Sequence, residues 1–502
     1  MEWSAIWSEG VNVLAVICLQ FGDTGKGKIV DLCAEEADII ARGTGGSNAG
    51  HTICANGRTH ITHIIPSSIS YTDKTHIIGN GVAFNPQIVI QELQLLDDEK
   101  ISYDNLLIAL NAKLTLPHHL LIDRLKEKGS GKIGTTGQGI APTYVDYYNR
   151  TGLMVNDMLN PDIFKRKLER NLEYNQRIIA SYNPEDIAEI MQHPALGSGI
   201  FYRNGSFDID QIIASYMEYG ERLLPMITDT DKFLRKAVKN GKRIVLEGAQ
   251  GALLSILLGL GTYPYVTSSN ASIGGLAEGV GLSVDEVDRI FGIAKAPYMT
   301  RVGDGPFPTE LGGAKSAEHC RTKGVNRDSE MEQYPTNLSI SDDFQLGVSL
   351  RQAGNEYGAT TGRPRRTGWL DLPLLLHAVN SINSNKLELV LTKLDVLTGY
   401  PRIKLCDGYS YEGPTQRYGG RIFSKGDILT EAIPYAEIIE HCRPMYQEFP
   451  GWNIDISEVE SVDDLPPQLV MITSFIERSV KKPISLLSVG KDREQTIDNR
   501  TH

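Results

Sequence analysis

Residues 11–28 read VNVLAVICLQFGDTGKGK, an apolar run from Val11 to Phe21 that ends on the loop Gly22-Asp-Thr-Gly-Lys-Gly-Lys28. The run has the pattern of a strand buried on both faces. The loop then opens a helix through Ile29 to Glu36, and Ala37 to Ala41 returns as a short strand. Strand, glycine loop, helix, strand is the start of an α/β fold, with the loop at a strand's carboxyl end where such sheets bind ligands. Three glycines let the backbone approach a polyphosphate closely, and Lys26 and Lys28 offer charge. Asp23 would repel phosphate unless a metal ion or a proton-bearing substrate sat beside it. The loop is therefore expected to perform chemistry as well as to bind.

Working outward, the apolar runs Thr75 to Ile78, Leu106 to Leu110, Ile244 to Leu246, Glu388 to Leu391 and Ile484 to Leu487 are candidate strands of the same sheet. The catalytic core would then draw on the whole length of the 502-residue chain, which at 41% hydrophobic can bury a large core. Residues 156–242 carry helical spacing (Phe164, Leu168, Leu172, Ile178, Ile179) and read as a helical subdomain, and residues 312–343 read as a polar surface insertion. A net charge of −12 argues against broad attraction to nucleic acid while permitting a local basic pocket. The apolar run is too short to span a bilayer and Met1 to Gly10 lacks a basic start, so a cytoplasmic enzyme is expected. The six cysteines (Cys18, Cys33, Cys54, Cys320, Cys406, Cys442) form no CxxC pair and no zinc-ligand spacing with histidine, and are expected to be reduced and mostly buried. Cys320 beside His319 has the composition of a nucleophile and base, but sequence neighbours are seldom aimed at each other.

Five further segments have site character. Gly45-Gly-Ser-Asn-Ala-Gly-His-Thr52 can wrap a ligand while Asn48 and His51 read or protonate it. Gly134-Thr-Thr-Gly-Gln-Gly139 offers hydroxyls and backbone amides. Glu247-Gly-Ala-Gln-Gly251 would project Gln250 from a strand end. Gly358-Ala-Thr-Thr-Gly-Arg-Pro-Arg-Arg366 supplies guanidinium forks suited to carboxylate or phosphate. In Thr392-Lys-Leu-Asp395 a carboxylate could accept both the N1 and N2 hydrogens of guanine, which favours GTP over ATP.

Taken in order, GDTGKGKIVD, GGSNAGHT, IGTTGQGIAP, EGAQG, GTYPYVTSSN, TRVGDGPFPTEL, GNEYGATTGRPRRTGWLD and LTKLDVL resemble the adenylosuccinate synthetase family from about Val11 to Ile497. The resemblance implies a single large α/β domain around a long, mostly parallel sheet, with the helical subdomain and surface insertions. It also implies a GTP-driven ligation of L-aspartate to IMP, in which the 6-oxygen is phosphorylated and the aspartate amino group then displaces the phosphate. Asp23 would be base and Mg²⁺ ligand, the Gly50 carbonyl a second ligand of one Mg²⁺ per subunit, and His51 a general acid on the phosphoryl oxygens. Lys26 and Gln250 complete the implied catalytic set. Asn48, Thr136, Gln250, Thr267 and Arg363 would contact the purine nucleotide, together with Arg150 reaching across a homodimer interface. Gly22, Thr24, Gly25, Lys26, Gly27, Lys28, Gly50, Thr52 and Arg365 would hold the GTP phosphates, and Lys393, Asp395, Ser488 and Gly490 the guanine. Ala359, Thr360, Thr361, Gly362, Arg363 and Arg365 would hold aspartate. No nucleic acid or membrane partner is implied.

The chain departs from the family's usual residues at Thr24, Thr44, Ser47 and Gln138, and at Leu254 to Leu260, which replaces a shorter segment. Related viral enzymes that join aspartate to a guanine nucleotide share the threonine after the base position and TGQG, which leaves GMP or dGMP as an alternative acceptor. Those relatives typically have serine at the base position, whereas Asp23 is retained here. A non-catalytic purine-nucleotide-binding regulator is the alternative from another class, and it gives no reason to keep Asp23 and His51 together.

Overall fold

The computed structural model describes residues 6–55, 58–129, 132–257, 263–334, 342–358 and 362–500, with the side chains of 51–60 excepted. Its centre is a ten-stranded sheet whose strands, numbered within that sheet, are β1 (Val13–Cys18), β2 (Ile39–Arg42), β3 (Thr75–Ile78), β4 (Leu106–Ala109), β5 (Ile227–Thr228), β6 (Ile244–Glu247), β7 (Arg289–Lys295), β8 (Leu387–Thr392), β9 (Ile484–Ser488) and β10 (Thr496–Asp498). The spatial order is β5-β4-β3-β2-β6-β1-β7-β8-β9-β10, and every pairing is parallel except β9 with β10. This is the long, mostly parallel α/β sheet expected.

Both faces of β1 are covered, which explains its unbroken apolar character. Leu14 and Val16 pack with Ile29, Val30 and Cys33 of the helix Lys26–Ala34, while Val13, Ala15 and Ile17 face a second cluster containing Leu246, Leu276 and Leu389. The strand is shorter than the run Val11 to Phe21. The helix begins at Lys26, before Ile29, because Gly25 takes a left-handed conformation (φ 77°) at its N-cap.

β7 was not among the strands expected. Its sequence RIFGIAK is broken by Gly292 and flanked by Arg289 and Lys295, which hides the apolar signal. The glycine is a packing requirement, since a Cβ there would lie 2.7 Å from Leu19 Cδ1 and 2.9 Å from Leu387 Cδ1. A second sheet also went unread: Tyr298–Arg301 pairs with Arg366–Asp371, which pairs with Arg402–Tyr411, and Ile428–Leu429 and Cys442–Pro450 both pair with that long strand. Residues 156–242 contain the helices Pro161–Ile179, Pro184–Met191, Ile209–Leu223 and Thr230–Lys239, together with a small hairpin and β5. Among the described residues no helix is long and apolar enough to cross a membrane, and the described cysteines Cys18, Cys33, Cys320, Cys406 and Cys442 are all free and buried.

Glycines after β2 and β3 and beyond the helix Ile273–Glu278 allow three backbones to touch. A Cβ on Gly279 would lie 1.9 Å from Gly43 O, and one on Gly81 equally close to the same oxygen. Gly279 has an ordinary φ of −66°, so it is close backbone, Gly43 O and also Gly275 O (2.8 Å), that opposes a side chain there. Gly279→Ala should therefore lower stability by about 1–3 kcal/mol, read as a lower urea midpoint in equilibrium unfolding.

Candidate active site

Six adjacent strands, β2, β6, β1, β7, β8 and β9, run parallel, so their carboxyl ends lie along one edge of the sheet. Each is followed by a segment singled out from sequence, except β7. That edge is where open α/β sheets take ligands.

The loop after β1 is braced before it reaches Asp23. Gln20 bridges to the end of β7 through two bonds, its Nε2 donating to Lys295 O (2.9 Å) and its Oε1 accepting from Lys295 N (3.0 Å). Phe21 lies under the buried Arg301 guanidinium, 4.2 Å from ring centroid to Cζ. The Thr392 hydroxyl at the end of β8 donates to Thr24 O (2.7 Å). Asp23 is thereby held at φ 50°, a left-handed conformation that a non-glycine residue adopts at a cost of about 1 kcal/mol. Gln250 (φ 54°), Lys393 (φ 63°) and Arg150 (φ 61°), all expected to touch ligands, share that conformation, as do six other non-glycine residues among those described.

Charges converge on Asp23 from the opposite side. Arg365 Nε lies 2.8 Å from Asp23 Oδ2, and Arg365 Nη1 lies 2.9 Å from Glu356 Oε2. The other oxygen of Glu356 accepts from Lys295 Nζ (2.8 Å) and from the Tyr298 hydroxyl (2.6 Å), and Lys295 Nζ also reaches Thr300 Oγ1 (2.7 Å). Burial alone would raise the Glu356 carboxyl, but the charges of Lys295, Arg365 and Lys393 outweigh it and bring it down to about 2. Burial lowers the Lys295 ammonium to about 8, with Glu356 opposing the shift. Sequence reading missed Lys295, Tyr298 and Glu356, although GNEYG contains the carboxylate.

The second cradle is joined to the third loop. Gln250 Nε2 donates to Asn48 Oδ1 (3.0 Å), Lys26 Nζ donates to Gln250 O (3.0 Å), and Ser269 links Gln250 Oε1 (3.3 Å) to Thr267 Oγ1 (3.2 Å). Lys26, Asn48, Gln250 and Thr267 are thus joined through hydrogen bonds, with Asp23 in the same loop as Lys26. Gly45 permits this, because a Cβ there would lie 2.7 Å from Ala249 Cβ and 2.9 Å from Gln250 Oε1. The buried Arg42 shapes the same loop from below, donating to Gly46 O (3.0 Å), Thr44 O (3.4 Å) and His63 O.

Thr136 is exposed on a loop organised by Asp123, which accepts from Thr135 Oγ1 (3.0 Å) and Gly139 N (2.8 Å). Ser47 Oγ reaches Gln138 Oε1 at 3.5 Å, so two of the departing residues meet. Lys28 faces the far end of the site, donating to Ser488 Oγ (2.8 Å), Gly490 O (2.9 Å) and Gln495 O (2.8 Å), and burial lowers it to about 8. Nearby in sequence to Lys393, whose Nζ donates to Gly354 O (2.9 Å), Asp395 Oδ1 is buried with no hydrogen-bond partner, and burial raises its carboxyl. Gly22 and Gly27 lie within the first cradle and Gly50 is exposed at the end of the second. Arg363 is exposed beside Gly362 in the basic loop, whereas Arg150 stands elsewhere, in an open depression lined by Tyr147, Tyr148 and Arg170. Ala359, Thr360 and Thr361, and the side chains of His51 and Thr52, lie outside the described residues.

His319 does not serve Cys320. Its Nε2 lies 2.9 Å from Glu330 Oε1, and burial pushes the Cys320 thiol up. A buried His118, His119 and Asp146 cluster could in principle hold a metal ion. Asp146 Oδ2 is already satisfied there by His119 Nε2 (2.8 Å), Asn171 Nδ2 (2.6 Å) and Asn175 Nδ2 (2.9 Å), and the cluster braces the helix Ile140–Tyr148.

The adenylosuccinate synthetase family model matches residues 15–497. Adenylosuccinate synthetase of Halothermothrix orenii is 41% identical over 485 residues, covering 96% of this chain and 97% of its own. That of Bacillus licheniformis is 38% identical over 490 residues, covering 97% and 98%. The fully ligated adenylosuccinate synthetase of Plasmodium falciparum is similar in structure with a TM-score of 0.75 at 30% identity, covering 97% of this chain and all (100%) of that one. A cyanophage S-2L succinoaminodeoxyadenylate synthetase bound to dGMP and dATP has a TM-score of 0.51 at 14% identity, a likeness of fold.

Removing the Glu356 charge should leave Lys295 buried without a carboxylate and Arg365 without its anchor. Glu356→Gln is expected to cost about 3 kcal/mol near neutral pH, measured by denaturant unfolding. The Glu356 pKa is depressed in the folded state, to about 2 from 4.5, so its stabilisation is present above pH 4.5 and is lost as pH falls toward 2. The difference between wild type and variant should accordingly shrink as pH is lowered through that window.

Proposed function

Because this chain belongs to the adenylosuccinate synthetase family, we propose that it joins L-aspartate to IMP using GTP, giving adenylosuccinate, GDP and phosphate, with the residues of the sheet edge in the following roles. The observation that carries the assignment is the set Asn48, Gln250, Lys26, Asp23 and Arg365, brought together from four separate segments, three at the carboxyl ends of parallel strands and the fourth the basic loop. The lactam oxygen of a hypoxanthine is a poor leaving group, and transfer of the γ-phosphoryl to it makes a good one. The aspartate nitrogen then attacks C6 and phosphate departs.

Asp23 takes the N1 proton, so that electron density moves onto the 6-oxygen as it attacks phosphorus. Lys26 lies on the phosphate side of the cradle, and His51 donates to the transferring phosphoryl oxygens. Asn48, Gln250, Thr267 and Thr136 orient the purine nucleotide, and Arg363 and Arg365 receive the aspartate carboxylates as planar forks. The Asp23 carboxylate and Gly50 carbonyl are hard oxygen donors of the kind Mg²⁺ takes, with its other positions left for phosphate and water oxygens. Mg²⁺ bound there would offset charge on the phosphates. A buried acceptor without a partner, Asp395 Oδ1, suits the N1 and N2 hydrogens of guanine. Arg150 is exposed beside exposed apolar side chains, Val145 at 46% and Tyr148 at 71%, and this supports a homodimer in which it reaches the neighbouring subunit's nucleotide.

The reaction is tested by offering IMP, GMP and dGMP as acceptors with GTP, ATP and dATP as donors and weighing the succinylated product. IMP with GTP should give the product, brisk phosphate release without a purine acceptor would contradict the ligase, and preferential use of dGMP would move the acceptor assignment. In the same assay Asp23→Ala and His51→Ala should lose at least about 10²-fold in turnover while keeping the wild-type circular dichroism spectrum. For the shared site, inactive Arg150→Leu mixed with inactive Asp23→Ala should regain part of the activity once subunits exchange, and no recovery after demonstrated exchange would show that each subunit's site is complete.

A further inference from the structure

Between the second sheet and the basic loop, two short helices, Gly313–Arg321 and Arg327–Gln333, lie against the helix Asp343–Gly354. The segment is polar, yet Glu330 is completely buried (0%). Its carboxylate gathers groups from three places. Arg351 donates through Nη2 to Oε1 (2.7 Å) and through Nε to both oxygens (3.2 Å each), His319 Nε2 lies 2.9 Å from Oε1, and the Tyr357 hydroxyl donates to Oε2 (2.7 Å). Desolvating a carboxylate is costly unless it is paired and hydrogen-bonded, and Arg351, His319 and Tyr357 together meet that requirement.

Tyr357 stands at the base of the basic loop. It bridges Pro364 across the stem, Gly358 N donates to Arg363 O (2.8 Å), and Arg365 N donates to Glu356 O (2.9 Å). The stem is thus gripped on one side by Lys295 and Tyr298 through Glu356, and on the other by Glu330 through Tyr357. Arg351, held by Glu330, also offers its carbonyl to Glu356 N (2.8 Å). The buried contact gives the polar insertion something to hold, since the residues it reaches are those immediately preceding the arginine forks.

We propose that Glu330 is a positioning residue for the amino-acid substrate: through Tyr357 and Arg351 it fixes the stem from which Arg363 and Arg365 receive the dicarboxylate. The inference rests on the assignment of those two arginines to aspartate. A loop held at the correct separation binds the dicarboxylate without first having to be ordered, so loosening the stem weakens aspartate binding more than it weakens IMP binding.

Steady-state kinetics of the full-length enzyme with IMP, GTP and aspartate test this. Tyr357→Phe and Glu330→Gln should each raise KM for aspartate about tenfold, with KM for IMP unchanged within about twofold and kcat reduced less than KM is raised. Because the Tyr357 hydroxyl acts through its bond to Glu330, adding Tyr357→Phe to Glu330→Gln should cost less than the Tyr357→Phe change does alone. Arg363→Gln measured alongside separates the two claims. If it leaves KM for aspartate unmoved, the assignment of the loop to aspartate is what fails. If it raises KM while the Tyr357 and Glu330 variants, folded and melting as wild type, do not, the role of Glu330 is overturned. Equal loss toward all three substrates would likewise overturn it, as a general structural effect. Should Glu330→Gln fail to fold, Tyr357→Phe, which removes a single hydroxyl, decides.

Discussion

A carboxylate almost without exposure to water, Glu356, binds two cations at once: Lys295 at the end of β7 and Arg365 in the basic loop. Arg365 in turn meets Asp23 in the first cradle. Neither Lys295 nor Glu356 could remain charged in the interior alone, because desolvating either costs several kcal/mol that its charged partners must offset. The pair therefore locks together the sheet, the segment that turns into the second sheet and the loop returning from it. Asp23, a carboxylate in a glycine-rich loop with two lysines, has its charge balanced by a guanidinium delivered along this chain.

Close backbone approach is the second constraint. Gln250 reaches Asn48 only because Gly45 has no side chain, and the loops after β2 and β3 meet beside Gly279 for the same reason. A Cβ at either point would meet backbone or a site amide, neither of which can move without opening the edge where the ligands gather. Asp23, Gln250 and Lys393 each take left-handed backbone just after a strand of the sheet. The cost is small at each residue and is met by the buried strands beneath.

Much of this was legible in the chain. The apolar runs identified β1, β2, β3, β4, β6, β8 and β9, since buried parallel strands need continuous apolar sequence, and glycine-rich loops follow β1, β2 and β6. β7 was not legible, because Gly292 breaks its run to make room for Leu19 and Leu387, neighbours that only the folded sheet supplies. Lys295 and Glu356 escaped for a related reason: a single lysine and a single glutamate, separated by many residues, look like surface charges until burial pairs them. The polar insertion read as a surface feature, yet its Glu330 is buried against Arg351 and Tyr357, a charge whose partners lie in a later helix and turn.

The sequence by itself determined the chemistry on offer. Its ordered motifs carry a carboxylate in a glycine-rich loop, an amide at a strand end, a run of arginines and a carboxylate after an apolar strand, and these are local patterns that residue type and spacing express directly. Only the tertiary structure decided how that chemistry is assembled. It set which strand lies beside which, it joined Asn48 to Gln250 and Arg365 to Asp23, and it turned Lys28 toward Ser488 and Gly490. Those choices depend on burial and on contacts between residues far apart in the chain, and burial is a property of the fold that no local pattern of residues encodes.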